Sequence, residues 1–548
     1  MDGKKVESKD FVTPPCADAC PAGVNVPRYI RAVKNKDYDQ ALAVLREKLP
    51  LPFVCADACF APCESQCAYR QFGEPLAIKA LKRVIVENGS DAWKKNQKIA
   101  KKTGKKAAVV GSGPAGLTVA YYLTVCGHEV TLFDEFDKPG GLLRYAIPRY
   151  RIPEEHLDKD VQVIMDMGVN FKGGTKVGSD ISLSKLKEEY DAVYLSTGAC
   201  RSTRIPVEGT EKKGVFWGLD FLEDVAMDKA DKLSGNVVVI GGGNVAIDVA
   251  MTAKRKGADT VYLVCLEKDY EMPAHDWEIE RAREEGIVIM NSWGPKEIIG
   301  SGKAEGVKLQ ACPQVCDASG CFNPTYDEGI IDTLTAETVI LAVGQTTDLT
   351  CIKDDSCSIN QNGNCLQVNP ESLVTDEEGV FAGGDVVTGP LSIIDAIGQG
   401  RKGARSIDKY LGGSGSIEEE LAKPEKEVWL PELDREPRSR KEGGLEWPWK
   451  RALGFDQIEK CMSEKEAVQE ASRCLNCDAR KFEVVLNTDF CKECGYCAIV
   501  CGLNIFTPAD FFNEKGFRPM VVPSCDWCVG CFNCYYSCPD FAIDIIEA

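Results

Sequence analysis

Histidine is nearly missing from this sequence: three residues in 548. Zinc sites of mixed Cys/His type are therefore not expected, and no Ser/His/Asp or Cys/His dyad is legible. His128 follows a glycine at a helix end and is expected to be a C-terminal cap. His156 and His275 sit in charged stretches, and none of the three is assigned a catalytic role. No run of about 18 apolar residues occurs, so no membrane span is expected. The start, MDGKKVESKD, lacks the apolar core of a signal peptide, which places the chain in a reducing, cytoplasmic setting. Basic residues are outnumbered, 65 Lys and Arg against 84 Asp and Glu. The net charge of −19 argues against binding nucleic acid or an anionic membrane through bulk electrostatics.

What is abundant is cysteine. There are 27, mostly in clusters with gaps of two or three residues. In a reducing compartment such clusters read as metal sites, and thiolate-rich, histidine-poor usage fits iron–sulfur centres. The tail carries Cys491, Cys494, Cys497 and Cys501, then Cys528, Cys531, Cys534 and Cys538 followed by Pro539. This is the bacterial two-cluster ferredoxin spacing, in which the fourth thiolate of each run serves the other cluster. One centre is then expected on Cys491, Cys494, Cys497 and Cys538, and the other on Cys528, Cys531, Cys534 and Cys501. Gly502 replaces the usual proline after the first run, and Cys525 falls outside the pattern as a spare thiol.

Two segments read as an apolar strand, a glycine-rich turn and a helix. In the first, KKAAVVGSGPAGLTVAYYL, the turn is Gly111, Ser112, Gly113, Pro114, Ala115 and Gly116. Its glycines let the backbone approach a pyrophosphate resting on the helix N-terminus, and Asp134 ends the next strand where a ribose diol would be held. In the second, GNVVVIGGGNVAIDVAMTA, the turn is Gly241, Gly242, Gly243, Asn244, Val245 and Ala246. Two such units imply two dinucleotides, ordinarily a flavin and a nicotinamide. DKPGGLLRYAIPRYRIP supplies Gly141, Leu142, Arg144 and Arg149; VYLSTGA supplies Thr197 and Gly198; ILAVGQ supplies Gly344. GVFAGGDVVTG supplies Gly384 and Asp385, the latter placed to bond the ribityl chain.

This order resembles the two-dinucleotide-domain flavoprotein reductases, in which the nicotinamide domain is inserted into the FAD domain. The expected fold is α/β: two Rossmann-like domains preceded by a helical iron–sulfur domain and followed by an α+β ferredoxin-like one. Expected boundaries are 1–104 for the helical domain with its Lys-rich 91–105 linker, 105–205 and 336–410 for FAD, and 206–335 for NAD(H). A linker region, 411–480, returns a CxxC, and 481–548 is the ferredoxin domain. GGLLRYAIPRYRIP, GGGNVAIDVA, EMPA and ILAVGQ, with the N-terminal cysteines, are together similar to the glutamate synthase small-subunit family. That family includes the N-terminal half of dihydropyrimidine dehydrogenase and the large subunit of ferredoxin-dependent transhydrogenase. NADPH-using members carry Tyr-Arg-Arg at the end of the second strand; this chain has Cys265, Leu266 and Glu267 there. Glu267 would repel a 2′-phosphate and accept from a free 2′-hydroxyl, so NADH is expected over NADPH, with Lys268 the one cation in reach of a phosphate.

The resemblance also organises the N-terminal thiols. The family's first run reads RCLxC, a short gap, then PxCxxxCP; here PPCADACP is present but its RCLxC is not. SRCLNC at 472–477 looks like the missing piece. One cluster would then use Cys16, Cys67, Cys474 and Cys477. A second would use Cys20, Cys59 and Cys63, with Cys55, Glu64 or Gln71 as fourth ligand. Relatives place Gln or Glu further on, where this chain has Lys82. A single N-terminal cluster, or a structural CxxC or zinc knuckle at Cys474 and Cys477, are the competing readings. Cys312, Cys316 and Cys321 fall in a polar loop and read as surface thiols. Cys126, Cys200, Cys265, Cys351, Cys357, Cys365 and Cys461 read as isolated ones.

The resemblance implies an NAD(P)H:acceptor oxidoreductase that is the electron-transfer subunit of a hetero-oligomeric complex in an anaerobic prokaryote. FAD would take hydride from NADH and pass single electrons through [4Fe-4S] clusters, four if the N-terminal segment holds two. Ferredoxin or a partner oxidoreductase subunit would receive them, reversibly or with bifurcation. Arg144 and Arg149 are candidates for stabilising an anionic flavin, with simple surface pairing the equal alternative. The rival readings are a non-catalytic electron-wiring scaffold and an NADPH-dependent glutamate synthase-type small subunit. A disulfide reductase would need a redox CxxC between residues 206 and 335, which contain none.

Overall fold

The computed structural model describes residues 3–353 and 359–548, so Cys357 lies outside the described residues. The chain forms two compact units. One comprises the residues up to Lys98 with Glu418–Gly444 and Cys461–Ala548; the other comprises Ile99–Ile417 with Leu445–Lys460.

The first unit opens on four helices, Val26–Lys34, Tyr38–Arg46, Pro52–Ala58 and Ile78–Asn88. Asn25 and Asp37 cap the first two, their side chains accepting from the backbone N–H of Arg28 and Gln40. Tyr29, Ile30, Val33, Leu42, Leu45, Val54, Leu81 and Ile85 are buried between them. Trp93 is buried under the Arg46 guanidinium, 5.1 Å from the ring centre, so the front of the expected Lys-rich linker is packed structure. Within the expected crossing segment, Glu427–Pro431 pairs antiparallel with Gly3–Glu7. A capping box of Ser463 and Glu466 then starts the helix Glu464–Ala471, which packs on the helices Val26–Lys34 and Ile78–Asn88. The tail pairs Phe482–Leu486 with Ile543–Glu547, and two short helices, Tyr496–Val500 and Asn533–Ser537, pack together beside that ribbon.

The second unit holds two parallel five-stranded sheets. In the first, Lys106–Val110 lies between Glu129–Phe133 and Ala192–Leu195, with Asn170–Lys172 and Val380–Ala382 at the edges. In the second, the order is Val288–Met290, Thr260–Val264, Asn236–Ile240, Thr338–Leu341 and Val215–Trp217. The strands read as continuous apolar runs because helices or a further sheet cover their faces. Thr338–Leu341 lies beyond residue 335, so the second sheet draws its fourth strand from past the expected end of that segment. The chain leaves and re-enters the first sheet side by side, Arg201–Ser202 pairing with Gln345–Thr346. A third, antiparallel sheet contains a long hairpin of Gly306–Cys316 and Phe322–Thr335. The expected loop around Cys312, Cys316 and Cys321 is the end of this hairpin: Cys312 is buried and the other two are exposed. His128 caps the helix Pro114–Val125 through its backbone, its N–H donating to the Leu123 carbonyl at 3.0 Å, while its buried ring bridges Asp408, at 2.9 Å from Nε2, and Thr103, at 2.8 Å from Nδ1. Among the described residues no helix is long and apolar enough to cross a membrane.

Candidate cofactor and cluster sites

The first glycine turn is built to let a ligand touch backbone. A Cβ at Gly116 would stand 1.9 Å from the Gly111 carbonyl, so only glycine lets the helix Pro114–Val125 start this close to its strand. A Cβ at Gly113 would meet nothing within 4 Å, which leaves open space at the helix N-terminus where an anion is favoured. Asp134 is more committed than its sequence position suggests. Its carboxylate accepts from the Ser112 N–H at 2.7 Å, the Ser112 hydroxyl at 2.6 Å and the Phe136 N–H at 2.9 Å. It braces the turn, while burial pushes its pKa up against these bonds. Gly141 packs on Gly113 and begins the short helix holding Leu142. Thr197 and Gly198 follow the strand Ala192–Leu195, whose neighbour Ser196 donates to the Val110 carbonyl at 2.9 Å. Gly384 is bonded through its N–H to Gln399 at 2.8 Å. Asp385 opens a helical turn beside it, its carboxyl raised to about 6 by burial despite the Leu391 N–H. Gly344 bonds through its carbonyl to the Thr203 N–H at the crossing between sheets.

Neither candidate arginine is uncommitted. Arg144 bonds the Pro139 carbonyl, Glu154 and Asp158, and Arg149 bonds the Ala226 carbonyl at 2.6 Å. Tyr150 and Arg151, from the same motif, fasten Asp248 on the helix Asn244–Arg255, and Arg151 also reaches Glu278 at 2.6 Å. The motif therefore clamps the second nucleotide helix.

At the second turn a Cβ on Gly242 would meet a Glu267 carboxylate oxygen at 2.6 Å, while Gly243 is open. Glu267 thus overhangs the turn from the end of its strand, its carbonyl held by the Asn291 amide and the Ser292 N–H. Asn244 accepts from the His275 N–H at 2.9 Å and Ala274 donates to the Gly242 carbonyl, so the EMPA segment folds back over Gly241–Ala246. Val245 and Ala246 form the first turn of the helix, Ala246 fully buried. The open glycines and helix N-termini at both turns fit a dinucleotide.

The cysteines gather in four groups. Cys16, Cys67, Cys474 and Cys477 line one apolar cavity with Tyr69, Ile30 and Leu475. Burial first, then the neighbouring Cys477, Cys474 and Cys67, push the Cys16 thiol up. Around Lys82 stand Cys59, Cys55, Cys63 and Cys20. The oxygen alternatives are elsewhere: Glu64 is bonded to Arg440 at 2.6 Å and to the Lys79 N–H at 2.7 Å, and Gln71 lies against Gly502. In the tail, burial raises Cys497 to about 11, with Cys491, Cys494 and Cys538 as its thiol neighbours. Burial raises Cys534 to about 12 beside Cys531, Cys528 and Cys501. Cys525 is a neighbour of Cys528 and accepts from the Val484 N–H. Buried thiols of this kind ionise only when a cation takes the proton's place. The four sets are neighbourhoods and not closed sites: among the described residues no three His, Cys, Asp or Glu side chains are arranged to hold a metal ion as they stand.

The returned CxxC is fixed from both sides. Arg31 bonds Asp478 at 2.7 Å and also pairs with Glu425, and Glu470 accepts from the Ala77 and Lys441 N–H groups. Arg473 lies over the Tyr69 ring and bonds the Glu74 carbonyl. Gln399 and Asn291 carry no motif of their own, and sequence reading assigned neither a part in these sites; Ser112 was read only as a member of the glycine turn, and Lys82 only as the residue standing where relatives ligate.

Two glycine-turn sheets, one interrupting the other, define a two-dinucleotide oxidoreductase, and the thiol groups add an iron–sulfur character. The family model for pyridine nucleotide-disulphide oxidoreductases matches residues 105–400, more than half the chain. That for dihydropyrimidine dehydrogenase domain II, 4Fe-4S cluster, matches residues 10–93. The chain belongs to the pyridine nucleotide-disulphide oxidoreductase family and is an iron–sulfur flavoprotein. It is 35% identical to NADP(+)-dependent formate dehydrogenase subunit beta of Moorella thermoacetica, over 86% of this chain and 71% of that one. It is 31% identical to NAD-dependent dihydropyrimidine dehydrogenase subunit PreT of Salmonella typhimurium, over 72% and 91%. It is 31% identical to the glutamate synthase [NADPH] small chain of Mycobacterium tuberculosis, over 74% and 88%. The resemblance to the small-subunit family is thereby borne out.

Proposed function

We propose that the chain is an NADH-linked electron-transfer subunit that turns hydride transfer into single-electron transfer. Bound FAD would accept hydride from the nicotinamide and give up its electrons singly to thiolate-bound [4Fe-4S] centres. The chain's residues supply the rest. Gly111–Gly116 and Gly241–Ala246 seat the two pyrophosphates on helix N-termini, and Asp134 holds the first turn in shape. Asp385 and Gly384 would hold the ribityl chain, and Glu267 would accept from the NADH ribose. Four centres are held by Cys16/Cys67/Cys474/Cys477, Cys20/Cys55/Cys59/Cys63, Cys491/Cys494/Cys497/Cys538 and Cys528/Cys531/Cys534/Cys501. The exposed Cys494 makes its centre the exit to ferredoxin or a partner subunit.

The observation that carries this reading is the meeting of the Cys16 and Cys67 thiols with the distant Cys474 and Cys477 in one cavity, in a chain that also carries two nucleotide turns. The test is anaerobic: NADH added to the isolated chain should bleach its flavin and then its iron–sulfur absorbance. Unbleached flavin would favour a wiring scaffold.

A second reading, NADPH use, draws on the relatives whose names specify NADP and on Lys268, whose ammonium lies 3.7 Å from Glu271 beside the same strand end. Faster bleaching by NADPH than by NADH would select it.

A further inference from the structure

We propose that Lys82 is the built-in counter-charge of the Cys20/Cys55/Cys59/Cys63 centre and holds its reduction potential above that of the same four thiolates alone. This role rests on the reading that the quartet holds an iron–sulfur cluster.

Lys82 lies on the inner face of the helix Ile78–Asn88, between Leu81 and Ile85, and is 5% exposed. A lysine this deep is ordinarily paired with a carboxylate. The acids of the adjoining helices are committed to other cations: Asp57 pairs with Arg83 at 3.1 Å, and Glu64 with Arg440 at 2.6 Å. The helix Ile78–Asn88 packs on Pro52–Ala58, which carries Cys55, and on Pro62–Ser65, which carries Cys63, so the buried Lys82 shares its interior with the buried Cys55, Cys59 and Cys63, and with Cys20. Four thiolates around an iron–sulfur centre leave a net negative charge, and one more electron makes it larger. A fixed cation inside the same low-dielectric pocket favours the more negative state, so it raises the potential. The electron enters with no bond made or broken and no proton moved. The fourth thiolate fits this arrangement. With Cys55 and Cys59 both present, the position of Lys82 need not ligate and is left to supply charge.

The test uses the full chain, purified anaerobically, in Lys82→Met and Lys82→Arg variants, followed by redox potentiometry with electron paramagnetic resonance. Lys82→Met should keep iron and sulfide and move the midpoint of one cluster signal to a more negative value, while Lys82→Arg leaves it near wild type. If Lys82→Met instead sheds that cluster, iron should fall by about four atoms per chain while Lys82→Arg retains it, which also supports a charge role. Full clusters with every midpoint unmoved in Lys82→Met would overturn the proposal, as would equal cluster loss in both variants. Separately, a Cys20→Ala variant with wild-type iron content would show that the quartet holds no cluster, and would sink the functional reading beneath.

Discussion

At the scale of single residues, two acids beyond the ends of the second strands do different work, Asp134 directly after Phe133 and Glu267 three residues after Val264. Asp134 is short, and its three bonds to Ser112 and Phe136 leave it bracing the turn. Glu267 is one methylene longer and overhangs Gly242. Replacing Glu267 with Gln keeps the hydrogen-bonding shape and removes the charge that repels a 2′-phosphate. The NADH-to-NADPH ratio of kcat/KM should fall on the order of tenfold, about 1.4 kcal/mol, as measured by steady-state reduction of an artificial acceptor. Asp385 gives a pH prediction. Its folded pKa, about 6, is raised above the unfolded value, so the folded state favours the proton. The fold is then most stable, as far as this group decides, below pH 4, and loses stability as pH rises through 6, by roughly 3 kcal/mol at most. Thermal melts of flavin-free protein across that window should show the loss, and Asp385→Asn should remove it. Sequence put Asp134 at a strand end, where it stands; Glu267, expected at the end of the second strand, lies three residues past Val264. It could not show where Asp134 spends its oxygens, since Ser112 is an unconstrained position of the glycine pattern. Nor could it show that Arg440 bonds Glu64 from 376 positions away, the contact that favours Cys55 in the proposed ligand set.

At the scale of elements, the helix Glu464–Ala471 would decide whether the proposed N-terminal centre can form. It carries Cys474 and Cys477 to Cys16 and Cys67, and Arg31 locks the delivery through Asp478 and Glu425. Arg31→Met leaves Asp478 buried without its partner. It should cost about 3–5 kcal/mol of stability in denaturant titrations and release about four iron atoms per chain. In the other unit, Gly116→Ala drives a methyl group into the Gly111 carbonyl and should abolish flavin retention on gel filtration with little change in iron. The tail thiols neighbour one another in the two sets that local spacing and an exchange of fourth ligands lead one to expect. The return of SRCLNC was legible only through the gap it left at the other end. The hairpin around Cys316 was missed because its polar, solvent-exposed strands lack the alternation that marks a half-buried strand.

At the scale of the whole chain, the account requires two redox currencies in one polypeptide. In the proposal, two nucleotide turns would handle the paired electrons and four thiol quartets the single ones. Anaerobic isolation of the full chain, followed by titration with NADH while flavin and iron–sulfur absorbance are recorded, tests this directly. The account predicts bound flavin, on the order of 16 iron and 16 sulfide per chain, and bleaching of the flavin followed by the clusters. A chain that holds zinc in place of iron and sulfide, or whose flavin NADH leaves oxidised, would contradict it.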